Sequence, residues 1–243
     1  MKRGDGRAWD ELRPVSMTLG YQSFAEGSVL IQMGKTHVLC SVTVEETVPN
    51  FLRDSGGGWV TAEYSMLPRA TVTRSTRDST LGRINGRSQE IQRLIGRSLR
   101  SIANLNALGQ RTFTVDCDVL QADGGTRTAA ITGSYVALYL AMQHLVNMGV
   151  LPSIPLKSAV AATSVGIVHD YKLLDLCYDE DAGAGVDFNV VMTSKGEFVE
   201  LQGTAEGKPF NKESVDALLA LAEKGIKELF QVQQEVLKTA GKK

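Results

Sequence analysis

Cysteine is scarce in this sequence: Cys40, Cys117 and Cys177 are the only three among 243 residues. An odd number of widely spaced thiols makes neither a disulfide framework nor a zinc-ligand pattern, so all three are expected as reduced core thiols. Proline is also sparse, at six residues, and no Pro/Ser-rich linker divides the chain. No apolar run approaches the roughly 18 to 20 residues a bilayer-spanning helix needs. The best stretch, Val136 to Val146, is interrupted by Gln143 and His144. No membrane partner is expected. The first ten residues carry Lys2, Arg3, Asp5, Arg7 and Asp10 with no apolar segment behind them, so no secretory leader is expected and a cytoplasmic location is. The sequence also lacks the G-x-x-x-x-G-K-[ST] and G-x-G-x-x-G spacings, and His37, His144 and His169 share no ligand or triad spacing. P-loop, dinucleotide-binding and ordinary serine or cysteine hydrolase chemistries are therefore unsupported.

What remains is a globular composition, 43% hydrophobic and 22% charged, which excludes a disordered or fibrous chain. The formal net charge of −1 hides a segregation along the chain. Residues 53–100 hold nine arginines, four acids and no lysine, whereas residues 175–206 hold eight acids and one lysine. Guanidinium forks grip phosphate oxygens bidentately, while clustered carboxylates suit a divalent cation.

Alternation around Gly34-Lys35-Thr36 predicts a hairpin over 28–44, and Trp59 to Leu67 reads as a short extended run. Arg69 to Gly86 reads as a long, mobile basic loop. Ile91, Leu94, Ile95, Leu99 and Ile102 predict an amphipathic helix over 88–103. A strand (111–121), a helix (128–147), a strand (156–168), a hairpin from Leu173 onward with strands at 187–192 and 197–201, and a long helix (211–239) complete the pattern. Hairpins interleaved with helices give an α+β fold of two sheet-plus-helix halves in one compact unit.

Two constellations carry chemistry. The strand Asp116 to Gln121 leads through Asp123-Gly124-Gly125 into a helix opened by Thr126-Arg127-Thr128. Two glycines, the free N–H groups of a helix N-terminus, a hydroxyl and a guanidinium together favour an anion such as inorganic phosphate or a phosphate ester. Asp179, Glu180, Asp181 and Asp187 cluster around Ala182-Gly183-Ala184-Gly185 in a loop between apolar strands. Beside a phosphate these carboxylates call for a bridging cation such as magnesium, with Asp181 and Asp187 the favoured pair, or with Asp187 acting instead as general acid. Two other readings compete. A ring subunit or RNA-binding module of the same fold would lack one constellation, and a small-molecule phosphotransferase would need a nucleotide loop that is missing.

The blocks Gly58-Trp59-Val60-Thr61-Ala62-Glu63-Tyr64-Ser65-Met66-Leu67-Pro68-Arg69-Ala70-Thr71, Glu90 to Arg100, Asp116 to Thr128 and Gln202-Gly203-Thr204-Ala205-Glu206-Gly207, in this order behind Arg7 to Pro14, resemble the bacterial ribonuclease PH family. That resemblance implies a ribosomal protein S5 domain 2-like α+β fold, with residues 1–243 a single ribonuclease PH domain. It implies a phosphorolytic 3′→5′ exoribonuclease that trims the 3′ ends of tRNA precursors, releases nucleoside diphosphates and runs in reverse as a nucleotidyltransferase. It further implies a homohexamer built as a trimer of dimers, with magnesium as cofactor and inorganic phosphate as co-substrate. Residue by residue, Arg87, Gly125, Thr126 and Arg127 match phosphate-binding positions. Asp181 and Asp187 match catalytic, metal-associated carboxylates, and Arg69, Arg74 and Arg77 match a tRNA-contacting loop.

Overall fold

The computed structural model describes residues 3–240. Its first sheet contains β1 (Val15–Leu19), β2 (Gly27–Met33), β3 (Thr36–Glu45), β4 (Trp59–Met66) and β5 (Thr112–Gln121), in the order β1-β2-β3-β5-β4. Neighbours are antiparallel except β4 and β5, which run parallel because α1 (Asp78–Leu81) and α2 (Gly86–Ile102) carry the chain back between them. The helix α3 (Thr126–Asn147) follows β5. The second sheet contains β6 (Val160–Val168), β7 (Tyr171–Leu174), β8 (Val186–Thr193) and β9 (Phe198–Ala205) in the order β7-β6-β8-β9, all antiparallel. A short helix, α4 (Tyr178–Ala182), separates β7 from β8, and α5 (Lys212–Ala240) closes the fold. Each half is thus a sheet followed by a helix, as the α+β reading expects.

The layering follows from where apolar side chains fall. Helix α2 buries Ile91, Leu94, Ile95, Leu99 and Ile102 on one face against β4, and Asn85 caps its start by accepting the Arg87 N–H at 2.9 Å. Helix α3 is buried nearly all round, because β2 and β3 cover one side and β6 the other. Its length and composition would suffice to cross a bilayer, yet 72% of its apolar window is buried inside the protein. A Cβ at Gly133 would meet Ile31 at 2.8 Å and Cys40 at 3.0 Å, so glycine is what lets this helix sit close on the sheet. One continuous core cluster runs from Val29 to Leu229 across both sheets.

Several details depart from the sequence reading. The basic loop contains the single helical turn α1, and the acidic loop contains α4, whose start is stapled by reciprocal bonds between Cys177 and Glu180. Strand β1 was not expected, and β6 begins at Val160 because the preceding segment is turn and isolated bridge. The hairpin that involves Leu173 turns earlier, at His169-Asp170, where both residues have positive φ (48° and 66°), and it pairs β7 with β6. Cys40 and Cys117 are core thiols, but Cys177 is only half-buried at the head of α4.

Candidate active site

Strand β5 delivers the chain to a turn that only glycine can make in this setting. Gly124 and Gly125 both have positive φ, 72° and 64°. A Cβ on Gly124 would lie 2.6 Å from the Leu176 carbonyl oxygen, and one on Gly125 would lie 2.9 Å from the Arg13 guanidinium. The turn therefore packs directly on the segment that enters α4. Gly125 is the N-cap of α3, and the first helical bond is Ala129 N–H to Gly125 O at 3.0 Å. The N–H groups of Thr126, Arg127 and Thr128 thus have no partner within the helix and carry its positive dipole end.

Side chains complete the anion cradle. The buried Tyr64 hydroxyl, from β4, donates to Thr126 Oγ1 at 2.8 Å, which leaves the threonine proton to point elsewhere. Burial raises the Tyr64 pKa although the Thr126 bond and the charges of Arg87 and Arg127 oppose this, so tyrosine remains a donor. Arg127 donates to Gln202 Oε1 at 2.5 Å and to Glu90 Oε1 at 3.3 Å, and Gln202 Nε2 donates to the same Glu90 oxygen at 2.8 Å. The Gln202 bond, with the Arg127 and Arg87 charges, holds Glu90 below its usual range against partial desolvation. Arg87, on the first turn of α2, makes no side-chain hydrogen bond among the described residues.

Asp181 lies in α4 and Asp187 at the start of β8, close enough for the charge of the first to act on the second. Burial and the Asp181 charge push Asp187 up to about 6, with Arg127, Arg87 and the Asn189 amide pulling the other way. Partial desolvation raises Asp181 too, and again Arg87 and Arg127 oppose it. Two guanidiniums therefore act on two carboxylates, and the expected phosphate and metal residues share one electrostatic site. Among the described residues no group of three His, Cys, Asp or Glu side chains forms a metal cage. Two partly desolvated carboxylates, one of them raised by the charge of the other, still suit a hard cation that keeps waters and substrate oxygens as its other ligands.

The basic loop starts beside this site, since Ala122 N–H donates to Ala70 O at 2.8 Å just before the glycine turn. Arg69, Arg74 and Arg77 are exposed. Arg69 donates to Val72 O at 2.7 Å, whereas Arg74 and Arg77 make no side-chain hydrogen bond among the described residues.

Comparison with known proteins agrees with this arrangement. Residues 11–143 match domain 1, and residues 158–225 domain 2, of the 3′ exoribonuclease family. The chain belongs to the 3′ exoribonuclease family. Similar curated members are ribonuclease PH of Dehalococcoides mccartyi, 63% identical over 97% of this chain and 98% of the relative, and ribonuclease PH of Moorella thermoacetica, 58% identical over 98% and 95%. Two solved structures share the fold. The Archaeoglobus fulgidus exosome with RNA bound to its active site is similar with a TM-score of 0.81 at 22% identity, over 95% of this chain and 92% of that one. Rice Rrp46 is similar with a TM-score of 0.78 at 21% identity, over 97% and 100%.

Within this family member, sequence reasoning gave no role to Tyr64, Glu90 or Gln202. Tyr64 and Gln202 lie in two of the blocks that carry the resemblance and Glu90 opens a third, but a hydrogen bond between residues 62 or 112 positions apart leaves no local pattern.

Proposed function

We infer that this member of the family shortens RNA from its 3′ end by phosphorolysis, with inorganic phosphate as the nucleophile and nucleoside diphosphate as the product. The observation that carries the reading is electrostatic: Arg87 and Arg127 both act on Asp181 and on Asp187 at the open N-terminus of α3. Arg87, Arg127, Thr126 and the amides that follow Gly125 bind and orient orthophosphate. One of its oxygens attacks the terminal phosphorus, the bond to the preceding ribose 3′-oxygen breaks, and that oxygen takes up one proton. Glu90 and Gln202 both accept from Arg127 Nη1 and anchor that end of the guanidinium. Tyr64 holds Thr126.

Asp181 and Asp187 are the residues that would hold magnesium, which when bound neutralises charge on the phosphoryl oxygens. In the alternative reading Asp187, protonated up to about pH 6, does not hold the cation but returns a proton to the leaving 3′-oxygen, with Asp181 left as the cation's carboxylate. Arg69, Arg74 and Arg77 are assigned to the tRNA backbone on the strength of their exposure and shared charge. A homohexamer built as a trimer of dimers belongs to the same proposal, and exposed Phe24, Phe51 and Val72 support an associating surface. Three free thiols support a reducing, cytoplasmic setting.

The deciding experiment is product analysis of a labelled tRNA precursor with an extended 3′ end. Shortening is expected only with both orthophosphate and magnesium, and the product is nucleoside diphosphate. Nucleoside monophosphate appearing in phosphate-free buffer would mean hydrolysis and overturn the reading.

A further inference from the structure

Ahead of β1 the chain spends three arginines where arginine is rarely found. Arg3 and Arg13 are 2% and 3% exposed, and such burial of a guanidinium demands partners. Both partners come from the far end of the sequence. The Arg13 backbone N–H and Nε donate to Asp175 Oδ2 at 2.8 and 2.9 Å, and Nη2 donates to Oδ1 at 2.6 Å. Arg3 makes a second fork, Nε to Glu180 Oε1 at 2.8 Å and Nη2 to Oε2 at 2.6 Å. The Asp175 carbonyl accepts from Arg3 Nη2 at 2.9 Å and from Arg7 Nη1 at 3.1 Å, and the Leu174 carbonyl accepts from Arg3 Nη1 at 2.7 Å. Asp175 adopts a left-handed backbone, φ 53°, to present carboxylate and carbonyl together.

The other face of this cluster touches the chemistry. Arg13 Nη1 donates to the Asp123 carbonyl, and Thr36 Oγ1 donates to the Gly124 carbonyl at 2.7 Å. Asp123 in turn accepts the Tyr178 N–H, on the first residue of α4, at 3.2 Å. Glu180 is the residue before Asp181. The phosphate turn and the carboxylate helix, more than fifty residues apart in sequence, are thus tied through one buried network.

We propose that residues 3–13 act as a positioning arm for the reaction, the Arg13–Asp175 pair setting the glycine turn and the Arg3–Glu180 pair setting the helix that carries Asp181. The proposal rests on the placement of phosphate at Gly125–Arg127 and of the cation at Asp181. Paired forks fix direction as well as distance, and a misplacement of about 1 Å costs on the order of 100-fold in rate. A lysine supplies the charge without the fork.

The test compares Arg3→Lys, Glu180→Gln and Arg13→Lys in the full chain, with Arg127→Ala and Asp181→Asn as references. Arg3→Lys and Glu180→Gln are expected to keep the wild-type circular dichroism spectrum, to lower kcat on the order of tenfold and to need more magnesium, with KM for phosphate within about threefold. Arg13→Lys is expected to raise KM for phosphate on the order of tenfold at an unchanged magnesium requirement. If Arg13→Lys does not fold, Asp175→Asn, which keeps shape and an acceptor oxygen, replaces it. Wild-type kcat, KM and magnesium dependence in folded variants with a lowered Tm would reduce the arm to a fold staple and overturn the proposal. Full activity in Arg127→Ala and Asp181→Asn would overturn the site assignment instead.

Discussion

Asp187 carries its proton up to about pH 6 because burial and Asp181 both disfavour the charged form. The native chain then binds more protons than the unfolded one between about pH 4 and pH 6, so this group's contribution to stability falls as pH rises through that window. Above pH 6 the penalty is complete, about 1–2 kcal/mol once its partial exposure is allowed for. Asp187→Asn is therefore expected to raise Tm by a few degrees at pH 8 in chelator, to leave it unchanged near pH 4, and to abolish activity. Scanning calorimetry at the two pH values checks this, and an unaltered Tm at pH 8 counts against it. Cation binding must expel the same proton, so half-saturating magnesium is expected to fall between pH 5.5 and 7.5. Arg127 contributes differently. Arg127→Ala removes a phosphate donor and leaves Glu90 and Gln202 facing each other. It is expected to raise KM for phosphate by tenfold or more with little change in RNA affinity, about 1.5–3 kcal/mol of charge-assisted bonding. Equal losses in both would end that division of labour.

Among the elements, the loop between β4 and α2 presents Arg74 and Arg77 exposed and without a side-chain hydrogen bond among the described residues. Arg77→Ala is expected to weaken RNA association uniformly across sequences and to flatten its salt dependence by about one counterion, while KM for phosphate stays put. Filter binding at several salt concentrations measures it, and an unchanged slope would remove Arg77 from the interface. This loop, α2 and the glycine turn were all legible in the sequence because each depends on local periodicity or local backbone demands. Ile91, Leu94, Ile95, Leu99 and Ile102 repeat at helical spacing, and Gly124-Gly125 can hardly be read otherwise. Helix α4 was not legible. Its five residues are too few for a period, and it exists because Cys177 and Glu180 cap it while Arg3 holds Glu180 from outside. The convergence of Arg87 and Arg127 on Asp181 and Asp187 was visible only as a match to known motifs, since the four residues come from α2, α3, α4 and β8 and only tertiary packing brings these together. Tyr64, Glu90 and Gln202 escaped because their partners are set by the packing of β4, α2 and β9 around α3.

As a whole the molecule is two sheets with helix α3 between them, and its outer surface still shows large apolar side chains. Phe24 is fully exposed and Val72 is 92% exposed. Light scattering is expected to give six times the chain mass, and a monomer-sized species would refute the assembly.

The buried arginine arm has a consequence for how the chain comes into being. A ribosome adding roughly 5–20 residues per second makes Arg3 on the order of ten seconds before Glu180 exists. Through that interval the glycine bend lacks the Arg13–Asp175 clamp and α3 lacks the cover of β6, so the catalytic centre cannot yet be assembled. Competence requires the second sheet, because only then do the earliest residues made have Asp175 and Glu180 to grip.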